Sequence, residues 1–223
     1  RRLAGRRVLV TAGPTFEAID PVRGITNLSS GKMGFAIARA AREAGADVTL
    51  VAGPVHLPTP RGVRRIDVQS AQQMHDAVLP LAAQHDVFVA TAAVADWRPA
   101  ECGAQKIKKD GSGEVPALAF VENPDILATL SKPGKSRAKL VVGFAAETND
   151  VEAHAQAKLA KKGCDWIIAN DVSGDVMGGA DNQVLLMSKA GTERWPRMSK
   201  AEVAMKLAER IAEVFHEDRK STR

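Results

Sequence analysis

The segment from Asn27 to Lys32 concentrates side chains that can bind an anion. Its sequence, Asn27-Leu28-Ser29-Ser30-Gly31-Lys32, offers an amide, two hydroxyl groups and an amine. Asn27 could donate a hydrogen bond to the carbonyl oxygen of an acyl intermediate, where the loss of such a donor costs about 3–4 kcal/mol of activation barrier; alternatively, it only satisfies a turn. Arg23 precedes this segment, and its planar guanidinium suits a phosphate or a carboxylate.

Two further charged residues could act on a triphosphate. Asp96 follows an apolar run, where a carboxylate can hold a divalent cation against phosphates or, equally well, cap a turn. Lys106 begins the run Lys106-Ile107-Lys108-Lys109, and a charge run is usually a solvated surface. Because glycines interrupt residues 97–116 and no periodicity is present, this segment is predicted to be a mobile flap, which favours the alternative that Lys106 closes over the phosphates and leaves both readings open.

The elements around the anion-binding segment predict where it lies. Residues 8–11 form an apolar, mostly β-branched run that stops at Ala12-Gly13-Pro14, as a buried parallel strand does at a turn. A helical pattern begins at Gly34, and a helix N-terminus offers unpaired N–H groups to a phosphate. The connection of about twenty residues is far longer than the usual two to six, so it is predicted to be either functional or disordered.

Two common phosphate-binding patterns are absent from this connection. A P-loop needs a serine or threonine after Gly-Lys, but Gly31-Lys32 is followed by Met33. A dinucleotide-binding loop needs Gly-x-Gly-x-x-Gly, and only Gly31-x-x-Gly34 is present. The segment therefore predicts a phosphate site of a less common kind.

Strand and helix patterns alternate along the rest of the chain, which predicts an α/β fold that is Rossmann-like, with a mostly parallel sheet and helices on both faces. We expect one nucleotide-binding domain over residues 1–223, with the flap at about 97–116 and a small β-hairpin appendage at about 173–197. The predicted strands are 7–11, 47–52, 63–68, 86–94, 139–144 and 165–170. Helices are predicted over 34–44 and 151–162. Three more helices are predicted from their first residues: one capped by Ser70 with Gln73 and stopped or kinked at Pro80, one with Asn123 as its N-cap and Pro124 at its first position, and one capped by Ser199 with Glu202.

Composition narrows the class of partner. A net charge of +5 suggests nucleic acid, but aromatic residues make up only 4% of the chain and offer few platforms for base stacking. A small polyanionic substrate explains the excess equally well. No apolar run is long enough to span a membrane. Cys102 and Cys164 are isolated, which fits a reducing cytoplasm, and the histidines show no metal-binding spacing.

Several segments together resemble the phosphopantothenoylcysteine synthetases, which are nucleotide-dependent ligases of coenzyme A biosynthesis. The resemblance covers essentially the whole chain and rests on Gly13-Pro14-Thr15, Glu17, Ile19-Asp20-Pro21-Val22-Arg23, Thr26-Asn27, Ser29-Ser30-Gly31-Lys32-Met33-Gly34 and Ala93-Val94-Ala95-Asp96. It implies that CTP activates phosphopantothenate as an acyl-cytidylate, that cysteine then displaces CMP, and that a magnesium-type cation takes part. It also implies a homodimer in the cytoplasm, and that a flavin-dependent decarboxylase domain can precede Arg1.

The same resemblance assigns roles to individual residues. Asn27, Lys106 and Arg23 are implied to be catalytic, and Asp96 to hold the metal ion. The implied substrate-binding residues are Arg23, Asn27, Ser29, Ser30, Gly31 and Lys32. The implied nucleotide-binding residues are Ala90, Thr91, Ala92, Asp96, Lys106, Pro124, Asp125, Ile126, Leu127, Phe144, Lys158 and Lys162. Residues 176–184 match the family pattern only loosely, which affects the dimer contact expected there more than the chemistry.

Three alternatives remain open on the sequence alone. An NAD(P)-dependent oxidoreductase would share a Rossmann-like sheet, although the chain lacks Gly-x-Gly-x-x-Gly and contains no tyrosine for a Tyr-x-x-x-Lys pair. A non-catalytic nucleotide-sensing module would need the phosphate site without the chemistry. A ligase that uses ATP is also compatible, because no residue reads the edge of the base unambiguously.

Overall fold

A central sheet with helices on both faces organises the part of the chain that the computed structural model describes, residues 1–172 and 181–221. In chain order the elements are β1 (Arg7–Ala12), β2 (Phe16–Asp20), β3 (Arg23–Thr26), α1 (Lys32–Glu43), β4 (Asp47–Ala52), β5 (Arg64–Asp67), α2 (Ala71–Ala82), β6 (Val87–Ala90), β7 (Trp97–Pro99), β8 (Phe120–Glu122), α3 (Ile126–Ser131), β9 (Leu140–Glu147), α4 (Val151–Lys162), β10 (Trp166–Asp171), β11 (Asp181–Asn182), β12 (Val184–Ser188), β13 (Gly191–Arg194), β14 (Met198–Ser199) and α5 (Lys200–Ser221).

The strand order of the main sheet is β13-β12-β10-β9-β6-β1-β4-β5. All neighbours from β10 to β5 are parallel, whereas β12 and β13 join as antiparallel strands. The chain starts at the centre of the sheet and winds outward to both sides, which is the doubly wound, Rossmann-like arrangement. The predicted fold class is confirmed. Ligands in such sheets bind at the carboxyl ends of the strands, next to the point where the order reverses, here between β1 and β6.

Apolar faces of the helices cover both sides of this sheet. One buried cluster joins it to α1 and α5 through residues such as Ile37, Leu207 and Ile211. The other joins it to α2, α3 and α4 through residues such as Met74 and Leu159. The two layers hold the strands rigidly, so the loops at their carboxyl ends start from fixed positions.

Most helix signals are confirmed. The reciprocal hydrogen bonds of the predicted capping box join Ser70 and Gln73, and those at the start of α5 join Ser199 and Glu202 at 3.2 Å each. The bounds of α4 are those predicted. Pro80 does not end α2, which continues to Ala82.

One prediction about strands needs correction, and another is confirmed. The predicted strand 86–94 is shorter, because β6 ends at Ala90 and the chain then departs toward the loop after β1, where Pro14 and Ala93 form an isolated bridge. The predicted hairpin is present as β12 and β13, and it extends the main sheet beyond β10. Residues 173–180 of the predicted appendage lie outside the described residues.

The connection between β1 and α1 contains an unpredicted hairpin, β2–β3. The predicted flap begins with β7, which pairs with β8 after the flap. No helix among the described residues has both the length and the apolar character needed to cross a membrane.

Candidate active site

The start of α1 lies directly against the ends of the two central strands. Gly31 precedes the helix with a φ of 77°, in the left-handed region that favours glycine. A Cβ on Gly34 would lie 2.4 Å from both the Thr91 hydroxyl oxygen and the Ala12 side chain, so only glycine allows this approach. The Thr91 hydroxyl donates to the carbonyl oxygen of Thr11. The helix start that follows Gly31 and the predicted residue Thr91 are therefore brought together at the edge where the sheet is expected to bind ligands.

Side chains of the segment before α1 organise its backbone. The Asn27 Oδ1 atom accepts from the Ser29 N–H at 2.8 Å, which is a turn of the kind foreseen as the alternative role of Asn27. The Ser29 and Ser30 hydroxyl oxygens accept from the N–H groups of Gly31 and Lys32, each at 3.3 Å. Within the described chain, the Asn27 amide nitrogen has no hydrogen-bond partner. The same residue can therefore shape the turn with its oxygen and donate to a ligand with its nitrogen.

Asp20 links the β2–β3 hairpin to the flap. Its Oδ1 atom accepts from the N–H groups of Val22 and Arg23 at 3.0 Å each, which forms the tight turn between the strands. Its Oδ2 atom accepts from the N–H of Ile107 at 3.0 Å and pairs with the Arg23 guanidinium at 3.0 Å. Arg23 in turn donates to the carbonyl oxygen of Ile107 at 3.1 Å. Arg23 and the residue next to Lys106 are thus held by the same carboxylate.

The chemistry of Asp20 favours its charged form despite its burial. Its side chain is 0% exposed. Burial alone would raise the pKa of Asp20, but N–H donors from Ile107, Val22 and Arg23 and the charge of Arg23 hold that pKa below its usual value. The anchored carboxylate therefore carries a full negative charge at neutral pH, and it restrains one end of the flap while Lys106 itself stays exposed.

A second buried carboxylate supports the loop that carries Asp96. Glu17 is 2% exposed and accepts from the Ala71 N–H at 2.8 Å and from the Asn123 amide nitrogen at 3.1 Å. Asn123 also donates through its side chain to the carbonyl oxygen of Ala95 and through its backbone to that of Asp96. Asn123 was predicted to cap a helix, and that prediction is wrong: Asp125 caps α3, and Asn123 instead ties two loops together.

The carboxylate of Asp96 is exposed. The described residues include no group of three or more histidine, cysteine, aspartate or glutamate side chains that could hold a metal ion. Magnesium in nucleotide sites commonly uses one or two carboxylates, with phosphate oxygens and water completing its coordination. The accessible carboxylate of Asp96 therefore fits a cation that arrives with a triphosphate.

A corner between α3, β9 and α4 contains Asp125, Phe144, Lys158 and Lys162. Asp125 caps α3 by accepting from the Ala128 N–H at 3.0 Å, and its other carboxylate oxygen pairs with Lys162. Lys158 donates to the carbonyl oxygen of Phe144. Two lysines four residues apart therefore share one face of α4, as predicted.

Burial sets the protonation behaviour of this corner. Desolvation is the largest effect on Lys158, and with the nearby charge of Lys162 it lowers the pKa of Lys158. Burial would raise the pKa of Asp125, but the hydrogen bond from Lys162 and the Ala128 N–H lower it overall. A phosphate that approached would meet two cations, one of which is already paired with Asp125.

Not every predicted residue can use its side chain. Ile126 and Leu127 are buried in the core, so only their backbone can meet a ligand. Phe144 packs partly against the core on the side of α1 and α5. Pro124, Ala90 and Ala92 are half-buried near the strand ends. Among the described residues, no hydrogen bond or ion pair joins Lys106 to another predicted site residue.

The geometry consists of three groups at one edge of the sheet: the turn before α1, the Asp20 anchor with the flap, and the corner at α4. Sequence reasoning gave no role to Glu17 or Asp20. The Asp-Pro dipeptide at position 20 signals a turn and was the available clue to the hairpin.

Comparisons with known proteins are consistent with this geometry. Residues 3–215 match the family model of the DNA/pantothenate metabolism flavoprotein C-terminal domain. The chain is 52% identical over 217 residues to the coenzyme A biosynthesis bifunctional protein CoaBC of Vibrio cholerae, which covers 96% of this chain and 53% of that relative. It is 46% identical over 214 residues to CoaBC of Bacillus subtilis, and this match covers 94% of this chain and 52% of that relative. The chain thus spans about half the length of the curated relatives it matches.

A solved structure is similar to this chain over nearly its whole length. The crystal structure of the C-terminal domain of a coenzyme A biosynthesis bifunctional protein CoaBC has a TM-score of 0.82 and 40% identity, and the match covers 97% of this chain and 98% of that one. The similarity therefore extends over the whole of that domain, including the segments that carry the three groups.

Proposed function

This chain belongs to the family of DNA/pantothenate metabolism flavoprotein C-terminal domains, and we propose that it is a CTP-dependent ligase that joins phosphopantothenate to cysteine. The observation that carries this proposal is the turn from Asn27 to Gly31 at the N-terminus of α1, which presents the Asn27 amide nitrogen at the ligand-binding edge of the sheet. Relatives named as bifunctional coenzyme A biosynthesis proteins support the same assignment.

The reaction proceeds in two balanced steps. A carboxylate oxygen of phosphopantothenate forms a bond to the α-phosphorus of CTP, and the bond from that phosphorus to the bridging oxygen breaks, so pyrophosphate leaves. The amine of cysteine then forms a bond to the acyl carbon, the bond from that carbon to the CMP oxygen breaks, and the amine proton passes to solvent. Neither step needs a side-chain nucleophile, but both need positioned donors and cations.

Each of the three groups has a separate role in this reaction. The Asn27 amide nitrogen donates to the carbonyl oxygen of the acyl intermediate, and Arg23 binds the phosphate or carboxylate of phosphopantothenate. Ser29, Ser30, Gly31 and Lys32 surround the same substrate. Lys106 and the lysines of α4 neutralise the triphosphate, and Ala90, Thr91, Ala92 and the backbone of residues 124–127 line the nucleotide together with Phe144. A magnesium-type cation held by Asp96 would offset phosphate charge when bound.

An omission assay tests the proposal against its alternatives. Pyrophosphate release should require CTP, phosphopantothenate and a divalent cation, and formation of the amide product should require cysteine in addition. Equal rates with ATP would point to the ATP-using ligase. Pyrophosphate release without phosphopantothenate, or binding of CTP without any turnover, would contradict the ligase, and the second result would favour a nucleotide-sensing module. NAD(P)-dependent absorbance changes without CTP would favour an oxidoreductase.

Three broader features belong to the same proposal. We expect a homodimer, since an exposed apolar surface lies on the β7–β8 ribbon. We expect the domain to act beside a flavin-dependent decarboxylase domain upstream of Arg1, because the curated relatives are bifunctional and about twice as long. We expect a cytoplasmic reaction, which fits an exposed free thiol at Cys102.

A further inference from the structure

Arginine side chains converge on a cavity far from the proposed active site. The cavity has a volume of about 370 Å³ and is lined by Arg1, Arg39, Arg42, Glu43, Arg61 and Gly62. Four arginines and one glutamate give this lining a formal charge of +3. Its volume is within the range of about 300–1,000 Å³ that small-molecule sites occupy.

The backbone around the cavity is well anchored. The N-terminal segment is fixed by the buried Leu3, whose N–H donates to the carbonyl oxygen of Ala44 at 2.8 Å. Arg42 lies across Gly62, where an added Cβ would be 2.6 Å from the Arg42 Nε atom. Arg39 and Arg42 project from the last turns of α1, so their Cα positions are fixed by a helix packed on the sheet.

The guanidinium groups lack protein carboxylates as partners. Ion pairs hold other arginines of the described chain, for example Arg137 with Asp165 and Arg210 with Glu193. Within the same described residues, Arg1, Arg39, Arg42 and Arg61 form no ion pair. Arg42 does have a structural role, because it donates to the carbonyl oxygen of Ala46 at 3.2 Å, just beyond the end of α1. Arg1, Arg39 and Arg61 make no side-chain hydrogen bond within the described chain, so three like charges gather with only Glu43 in the lining to offset them.

The cavity lies at the opposite edge of the sheet from the proposed active site. The first turn of α1 contributes to the active site, and about ten residues, or roughly 15 Å of helix, separate Lys32 from Arg42. Gly62 precedes β5, which runs parallel to β4, so it lies at the amino ends of the strands. A ligand there would not overlap the nucleotide.

From this arrangement we propose that the arginine-lined cavity is a second anion site, which binds a small molecule carrying a chain of phosphates. Planar guanidinium forks match phosphate oxygens with paired hydrogen bonds, and they keep their charge at every physiological pH. A lining charge of +3 matches an oligophosphate better than a single carboxylate. The site is independent of the ligase proposal, because none of its residues takes part in that chemistry.

Titration calorimetry with inorganic tripolyphosphate tests the site. The wild-type protein should bind one equivalent that the double variant Arg39→Gln/Arg61→Gln loses, or binds at least tenfold more weakly. Both arginines are exposed and make no hydrogen bond in the described chain, so the variant should keep the wild-type unfolding temperature. Any equivalent bound at the proposed active site should persist in this variant.

A matched control separates the cavity from general charge. The double variant Lys189→Gln/Arg197→Gln removes the same number of exposed cations at another place on the surface. It should still bind the equivalent of tripolyphosphate that the Arg39→Gln/Arg61→Gln variant loses. The proposal is overturned if the Arg39/Arg61 variant titrates like the wild type, or if the control loses affinity to the same extent. Binding of an oligoglutamate peptide to the same site, as tightly as tripolyphosphate, would overturn the assignment of phosphate chemistry.

Discussion

At the scale of single residues, Asp20 connects two proposed functions that lie far apart in the chain. One carboxylate oxygen forms the turn that carries Arg23, and the other binds Arg23 and the Ile107 N–H next to Lys106. Any substrate held by Arg23 therefore lies at a fixed offset from the base of the flap. We expect this carboxylate to position both groups without touching the reacting atoms itself.

Asp20→Asn should reduce turnover while leaving the nucleotide corner intact. The asparagine oxygen can still accept from Val22 and Arg23, but its NH₂ group would face the Ile107 N–H and the Arg23 guanidinium, placing donor against donor. We expect kcat/KM for phosphopantothenate to fall about 10- to 100-fold, because a displacement of about 1 Å in a positioning group has effects of this order. Affinity for CTP, measured by calorimetry, should change little.

Asp47→Asn is the matched control, since Asp47 pairs with Arg7 and both side chains are exposed, by 75% and 46%. It should leave kcat/KM within about twofold of the wild type, as expected for an exposed pair. Equal losses in both variants, or a loss of CTP affinity in Asp20→Asn alone, would contradict the positioning role.

Protonation gives an independent test of the same carboxylate. Its pKa is below the usual value of 3.8 in the folded protein. Because the pKa of Asp20 is lower in the folded protein than in the unfolded chain, its contribution to stability is fully present above the unfolded pKa. That contribution is lost as the pH falls through the folded pKa. The free energy of unfolding, measured with urea, should therefore drop more between pH 5 and pH 3 in the wild type than in Asp20→Asn. A parallel decline in both proteins would refute this contribution.

The lysine run on the flap gives a second residue-scale prediction. If Lys106 neutralises the triphosphate, Lys106→Gln should lower CTP-dependent pyrophosphate release by about 100-fold or more, which is typical for loss of one group that stabilises developing charge. Lys109→Gln is the control, because Lys109 is equally exposed on the same segment. Equal effects of the two substitutions would indicate a merely solvated run.

At the scale of elements, local signals predicted regular structure well and long-range contacts poorly. The bounds of α4 and the capping boxes of α2 and α5 follow from residues within one turn of each other, so the sequence pattern contains them. Asn123 carries an equally good local signal for a helix cap. Its side chain instead donates to Glu17, 106 residues away, and to the carbonyl oxygen of Ala95, and α3 begins later, at Ile126. The Asp20 anchor depends on Ile107, 87 residues away, which no local pattern reveals. The predicted site residues themselves came mainly from the family resemblance.

The junction between α1 and the central strands gives the prediction that belongs to this scale. Gly34→Ala would gain about 1 kcal/mol of helix propensity, but its Cβ would lie 2.4 Å from Thr91 and Ala12. Overpacking of this kind costs about 1–3 kcal/mol. We therefore expect a lower melting temperature by calorimetry and weaker CTP binding, as the helix start moves away from the strand ends. Gly34→Ser should lower the melting temperature and weaken CTP binding further. A melting temperature of Gly34→Ala at or above that of the wild type would show that the junction is loosely packed.

At the scale of the whole molecule, apolar surface and charge lie in different places. The β7–β8 ribbon exposes Trp97 by 60% and Phe120 by 50%. Trp97 pairs with Glu122 and Pro99 with Phe120, so the two aromatic residues lie on one face of the ribbon as diagonal neighbours. The arginine-lined cavity lies at the amino edge of the main sheet. Contact with a second copy through the aromatic face would leave that cavity accessible.

The proposed homodimer should therefore depend on the aromatic face of β7–β8. Trp97→Lys/Phe120→Lys places two like charges where an apolar contact is expected, so sedimentation velocity should show a monomer. Leu79→Lys/Met205→Lys is the matched control, because these helix residues are exposed by 42% and 55% and lie away from the ribbon. The control should sediment as the wild type does. If the dimer persists in the ribbon variant but dissociates in the control, the interface is formed by the helices instead. If the wild type is a monomer, the proposal of a homodimer is refuted.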